Sequence, residues 1–138
     1  SGQQSLSHNT VTDLTFGTEE IDTDSAFASN KFTVPSGQGG KYYLEAQINI
    51  YDNGSNISSV QFWIWKGSNS TKLTNLYDTN DGSDNRSHVS NSVHVIADLS
   101  AGDEIGAAVN VTTTDSGDST SYGGDQGTRI LGFKLAGA

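Results

Sequence analysis

Apolar side chains recur at every second position through most of this chain, the period of β-strands with one buried face. The clearest run places Tyr42, Leu44, Ala46, Ile48 and Ile50 on one side and Tyr43, Glu45, Gln47 and Asn49 on the other. Its length predicts a central strand. Val11, Leu14 and Phe16 open the pattern, and Phe32 and Val34 follow just before Pro35 and the turn cluster Ser36-Gly37-Gln38-Gly39-Gly40. After the turn signal Asp52-Asn53-Gly54-Ser55-Asn56, Val60, Phe62 and Ile64 alternate with Gln61, Trp63 and Trp65, so that strand carries bulk on both faces. Leu73 and Leu76 predict a short strand; Val89, Val93, Val95, Ala97 and Leu99 predict a long one. Gly102-Asp103 is a tight turn. Ile105, Ala107, Val109 and Val111 form the next strand, and Leu131, Phe133 and Leu135 face inward on the last. No stretch keeps helical spacing over three turns, and no repeat keeps a fixed period, which argues against propellers and solenoids. Eight to ten strands in so short a chain must close into a barrel or pack as two sheets. A single sandwich domain over residues 10–138 is the expectation, with residues 1–9, whose one apolar side chain is Leu6, as a flexible arm or one that orders only against the partner it docks to.

Composition narrows the function classes. The 138 residues are 33% hydrophobic and only 17% charged, the balance being made up by Gly, Ser, Thr and Asn. A disordered acidic chain would show the opposite mixture. The formal net charge of −9 repels phosphate backbones and anionic headgroups, so neither nucleic acid nor membrane insertion is expected. No apolar run approaches the roughly 18 residues of a membrane span. The absence of Cys excludes thiolate chemistry and disulfide frameworks.

Several motifs then match in order. Phe32-Thr33-Val34-Pro35, a glycine turn and Gly40-Lys41-Tyr42-Tyr43-Leu44 resemble a segment of the tumour-necrosis-factor-like jelly roll, in the variant seen in the globular head of the first complement component. The stretch from Ser92 through Gly102-Asp103-Glu104-Ile105 resembles that family's strand, Gly-Asp turn and strand. Ile130-Leu131-Gly132-Phe133-Lys134-Leu135 resembles its closing strand, with the usual first Phe replaced. The opening segment, Val11-Thr12-Asp13-Leu14-Thr15-Phe16 through Glu20-Ile21-Asp22-Thr23, is similar to versions of this domain in phage virion proteins. The resemblance implies an all-β, two-sheet antiparallel jelly roll, assembled as a compact homotrimer with its distal loops exposed. It also places the strands of Tyr43, Ile96 and Ile130 in one sheet. The face opposite their core pattern then carries apolar side chains beside Glu45, His94 and Lys134, so Tyr43, Glu45, His94, Ile96, Ile130 and Lys134 are the expected trimer interface. The competing reading is that scattered apolar surface residues need no partner. A histidine such as His94 at a threefold axis would make assembly sensitive to pH.

Chemical sites are sparse. His8, His88 and His94 are the only imidazoles; His88 and His94 share a strand face about 20 Å apart, too far for one site. Glu19, Glu20, Glu45 and Glu104 could serve a carbohydrate-active enzyme, but most Asp lie in Gly- and Ser-rich turns where they cap their own backbone. Asp78, Asp81 and Asp84 offer oxygen ligands for calcium without the register or terminal Glu of a helical calcium loop, and the solvated turn is preferred. No other cofactor is expected. Five sequons, at Asn53, Asn56, Asn69, Asn85 and Asn110, arise by chance in such a composition. Tyr77, Arg86 and Tyr122 are candidate ligand or receptor contacts in polar loops, and Trp63 and Trp65 are read as packing.

These readings converge on a non-enzymatic virion protein: a trimeric capsid decoration or knob on the particle surface, docked through residues 1–9 to a capsid or tail protein and aiding host attachment. The ends of the chain lie close to the outermost strands, which favours a knob over the tip of a long fibre. The nearest rival is a receptor-binding adhesin or carbohydrate-binding domain of a tail fibre or bacterial surface protein. An enzyme using Glu45 or Glu104 ranks last.

Overall fold

The computed structural model describes residues 3–16, 26–54, 56–80, 86–122 and 127–135. Twelve strand segments cross them: β1 (Gln4–Leu6), β2 (Thr12–Asp13), β3 (Phe27–Ala28), β4 (Lys31–Thr33), β5 (Gly40–Tyr51), β6 (Ile57–Lys66), β7 (Ser68–Lys72), β8 (Leu76–Thr79), β9 (His88–Leu99), β10 (Glu104–Thr113), β11 (Ser119–Ser121) and β12 (Arg129–Lys134). No helix occurs among the described residues, and every strand pairing among them is antiparallel.

In the five-stranded sheet β5 is central. β9 pairs with it from Gly40↔Leu99 to Tyr51↔His88. Along its other side run β12, from Tyr42↔Lys134 to Gln47↔Arg129, and then β11 at Ile50 and Tyr51. β1 adds to β11. The seven-stranded sheet is built on β10 and β6, with β4 and β2 on the far side of β10 and β7 and β8 on the far side of β6. Spatial neighbours are mostly distant in sequence, as in a jelly roll.

The period-two pattern of β5 sends Tyr42, Leu44, Ala46, Ile48 and Ile50 into the interior. There they meet Val60, Phe62 and Ile64 of β6 and Ile105, Ala107, Val109 and Val111 of β10, all in one core cluster. Each Val, Leu, Ile or Phe side chain among them stabilises by about 1.5–3 kcal/mol through burial, before entropy is counted. The β9–β10 turn forms as expected. Gly102 has φ 87°, a left-handed conformation that side chains resist. Its N–H donates to Val34 O at 2.8 Å, and the Asp103 carboxylate accepts from Ser100 N–H at 2.8 Å.

Two expectations fail. Residues 3–9 are not a free arm: β1 is a sheet strand, Leu6 is buried in the core, and Asn9 N–H donates to Val111 O at 2.8 Å. His8 Nδ1 accepts from Thr113 N–H at 3.1 Å. One buried leucine plus backbone pairing is enough to hold so short a segment. The last strand also has the opposite facing to the one expected. Ile130 sits opposite Ala46 and is 8% exposed, within the core, while Leu131 and Phe133 sit opposite Glu45 and Tyr43 on the outer face. Residues paired directly across a sheet share a face, so the register with β5 overrides the local apolar pattern. Gly132 makes this register possible, because a Cβ there would fall 2.7 Å from Leu44 Cδ2.

Candidate functional site: the outer face of the five-stranded sheet

The outward side of β9, β5 and β12 is a grid of cross-strand rows, each fixed by backbone register. The first row is Ile96, Tyr43 and Phe133; the second is His94, Glu45 and Leu131; the third is Ser92, Gln47 and Arg129. Ser90 and Asn49 follow, and His88 with Tyr51 closes the series. Tyr122, whose N–H donates to Asn49 O at 2.9 Å, lies beside that end.

The first two rows are the apolar end. Ile96 is 61% exposed and Phe133 47% exposed. The Tyr43 ring lies 5.2 Å from that of Phe133 and 6.4 Å from that of His94. Its hydroxyl donates to Glu45 Oε2 at 2.6 Å, and that bond, with burial and the carboxylate charge behind it, raises the Tyr43 pKa above the ordinary phenol value. The far end is aromatic and polar: Tyr51 lies 4.7 Å from His88 and 5.9 Å from Tyr122, centroid to centroid.

Of the six expected interface residues, the structure brings Tyr43, Glu45, His94 and Ile96 together on this face. Ile130 points into the core, and Lys134, opposite Tyr42, belongs to the inward parity at the exposed strand end. Leu131 and Phe133 take their places. Tyr51 was also legible: it continues the outward alternation Tyr43, Glu45, Gln47, Asn49 by one more step.

The expected ligand residues do not converge. Tyr122 follows β11 beside the five-stranded sheet, whereas Tyr77 lies on β8 of the other sheet and is 65% exposed. Arg86 is turned to structural use. Its Nη1 donates to Asp78 Oδ1 at 2.8 Å and its Nη2 to Ser58 O at 3.4 Å. The calcium expectation loses Asp78 to that ion pair, while Asp81 and Asp84 lie outside the described residues. No group of three or more His, Asp or Glu positioned for a metal ion occurs among the described residues. Glu45 and Glu104 stand on different sheets, and Glu104 is paired with Lys31 at 3.2 Å, so these two carboxylates cannot flank one bond. Glu19 and Glu20 lie outside the described residues.

Trp63 and Trp65 face outward from the seven-stranded sheet yet are buried, 1% and 3% exposed. They lie opposite Ala108 and Gly106, whose small size leaves room for the indoles. A Cβ on Gly106 would fall 2.2 Å from Trp65 Cζ2. Trp63 Nε1 donates to Asn69 O at 2.9 Å, and Lys72 Nζ stands 4.2 Å from the Trp63 ring centroid. Asn69 Nδ2 donates to Asp13 Oδ1 at 3.2 Å, tying β7 to β2.

No family model matches the chain, and no curated protein does. Among solved structures, the Eiger tumour necrosis factor of S. frugiperda superposes with a TM-score of 0.66 at 19% identity, covering 99% of this chain and 87% of that one. The globular domain of the zebrafish complement 1qA protein superposes with a TM-score of 0.56 at 13% identity, covering 96% of each chain. At such identities the likeness is one of fold, and the chain is an all-β, two-sheet antiparallel jelly roll of the tumour-necrosis-factor and complement-head type.

Proposed function

We propose that this chain is a non-enzymatic structural protein that assembles as a homotrimer through the outer face of β9, β5 and β12, and is displayed as a decoration or knob on a virion surface. The observation that carries this reading is the open row Ile96, Tyr43 and Phe133, apolar surface that the protomer leaves in water. The fold supports a compact oligomer, and the likeness of residues 11–23 to phage virion domains supports the setting. The separation of Glu45 from Glu104 and the engagement of Asp78 by Arg86 favour assembly over catalysis. With residues 3–9 in the sheet, docking to a capsid or tail protein falls to β1, which is paired on one side by β11. A cryo-EM map of the native particle tests the setting: threefold knobs with β1 against the underlying protein are expected, and a particle surface without them refutes it.

A receptor-binding adhesin is the second reading, favoured by the exposure of Tyr77. It requires saturable binding to a glycan or host cell that is lost in Tyr77→Ala or Tyr122→Ala. No binding across a glycan array and whole-cell panel removes it.

A further inference from the structure

The turn after β5 gathers an asparagine amide, a carboxylate and a phenol around one peptide bond. Asn53-Gly54 is the only Asn-Gly pair in the sequence. Gly54 N–H donates to Asp52 Oδ1 at 2.7 Å, and the Tyr51 hydroxyl donates to Asn53 Oδ1 at 2.8 Å. Asp52 is 5% exposed and anchored by its own N–H, which donates to Ser87 O at 2.8 Å. The Tyr51 ring is braced by His88 and Tyr122. Asn53 and Gly54 are exposed.

We propose that Asn53 is a self-modification site, at which the folded turn promotes loss of its side-chain ammonia. The Gly54 nitrogen attacks Asn53 Cγ as the Asp52 carboxylate takes up the amide proton, so a new C–N bond forms and the amide oxygen becomes an oxyanion. The Tyr51 hydroxyl already bonds that oxygen and stabilises the developing charge, the role of an oxyanion donor. Collapse breaks the Cγ–Nδ2 bond, and the nitrogen leaves as ammonia with the proton Asp52 had taken. Solvent water then opens the cyclic imide at either carbonyl, giving aspartate or isoaspartate. The net change is one water consumed and one ammonia released, with no redox partner.

Three features make this turn suited to the reaction. A base and an oxyanion donor both touch reacting groups. The exposed surface lets water in and ammonia out. The nucleophile is an unhindered glycine nitrogen, and a Cβ at position 54 would fall 2.1 Å from Asn56 Nδ2, displacing an amide held by Asp115 at 2.9 Å. The product adds a negative charge at the end of β5, beside Tyr51 on the outer face of the five-stranded sheet, so aged copies differ electrostatically from new ones there.

The test is to incubate the full-length folded chain at neutral pH and follow it by intact mass, peptide mapping and isoaspartate detection, beside a free peptide of residues 50–57. The folded chain should gain about one dalton at Asn53 several-fold faster than the peptide and before any other asparagine. Tyr51→Phe, which keeps the ring, should slow this roughly tenfold, less than the hundredfold or more of an enclosed oxyanion donor because water can substitute at an exposed turn. Asp52→Asn should slow it further; if that variant does not fold, Tyr51→Phe alone decides. A folded chain no faster than the peptide, or a Tyr51→Phe rate equal to that of the unsubstituted chain, overturns the proposal.

Discussion

Both sheets carry large side chains on their outward faces; the seven-stranded one covers its two indoles, though not Tyr77 on its edge strand β8, while the five-stranded one leaves Ile96 and Phe133 open. Trp63 and Trp65 rest on the small residues Ala108 and Gly106, bordered by β7 and by Lys72. On the five-stranded sheet, Tyr43 has Ile96 and Phe133 as its neighbours, and among the described residues no further strand pairs beyond them and no small residue lies opposite it. An aromatic residue on a sheet surface is therefore not itself the mark of an interface. What matters is whether the adjacent strand offers a Gly or Ala to lie on and whether a further segment closes over it. By that criterion the two indoles of the seven-stranded face are covered within the protomer, whereas Ile96 and Phe133 stay exposed on the five-stranded face, where the proposed trimer would close.

The contrast can be broken in order of expected effect. A carboxylate on the open face, Ile96→Glu or Phe133→Glu, should abolish assembly while leaving the circular dichroism of the protomer unchanged. Threefold symmetry repeats the substitution, and each unpaired charge buried at a seam costs about 3–5 kcal/mol. Trp63→Ala should do the reverse: denaturant unfolding should show a loss of about 3–5 kcal/mol, the scale of truncating a buried aromatic, while protein that remains folded keeps its assembled mass. Within β12, Ile130→Ala should cost about 2–5 kcal/mol of folding stability, and Leu131→Ala much less while weakening association. Equal effects at the two positions would mean the register against β5 is misassigned.

The smallest effect concerns the end of the self-covered sheet. Asp103 is held below the usual carboxylate range, first by the Ser100 N–H it accepts and then by Lys66 at 2.9 Å. A carboxyl whose folded pKa is depressed contributes stability that is present above its unfolded value, about 3.9, and is lost as pH falls through the folded one. Asp103→Asn should therefore narrow the stability gap between neutral and strongly acidic solution, read as thermal midpoints across that range.

Much of the fold was legible because β5, β9 and β10 are long and keep a buried parity throughout. Tyr42 to Ile50 leaves no second choice of buried face, and the Gly102-Asp103 turn has its glycine where φ is positive. β12 was not legible in the same way. Ile130, Leu131, Phe133 and Leu135 put apolar residues on both parities, and the choice between them is made by pairing with β5, a contact more than eighty residues away in sequence. The same holds for β1, whose three residues contain one leucine and acquire a role only beside β11. At the candidate site, Tyr43, Glu45, His94 and Ile96 could be read from alternation on two strands. Phe133 could not, because its facing is set from outside its own segment. The indoles of Trp63 and Trp65 were ambiguous until Gly106 and Ala108 were placed opposite them.

The most direct measurement is sedimentation equilibrium of the unsubstituted chain at micromolar concentration and near-physiological salt. A single species of three times the 14.6 kDa chain mass is expected. A stable monomer under those conditions would contradict it, because Ile96, Tyr43 and Phe133 would then be ordinary surface.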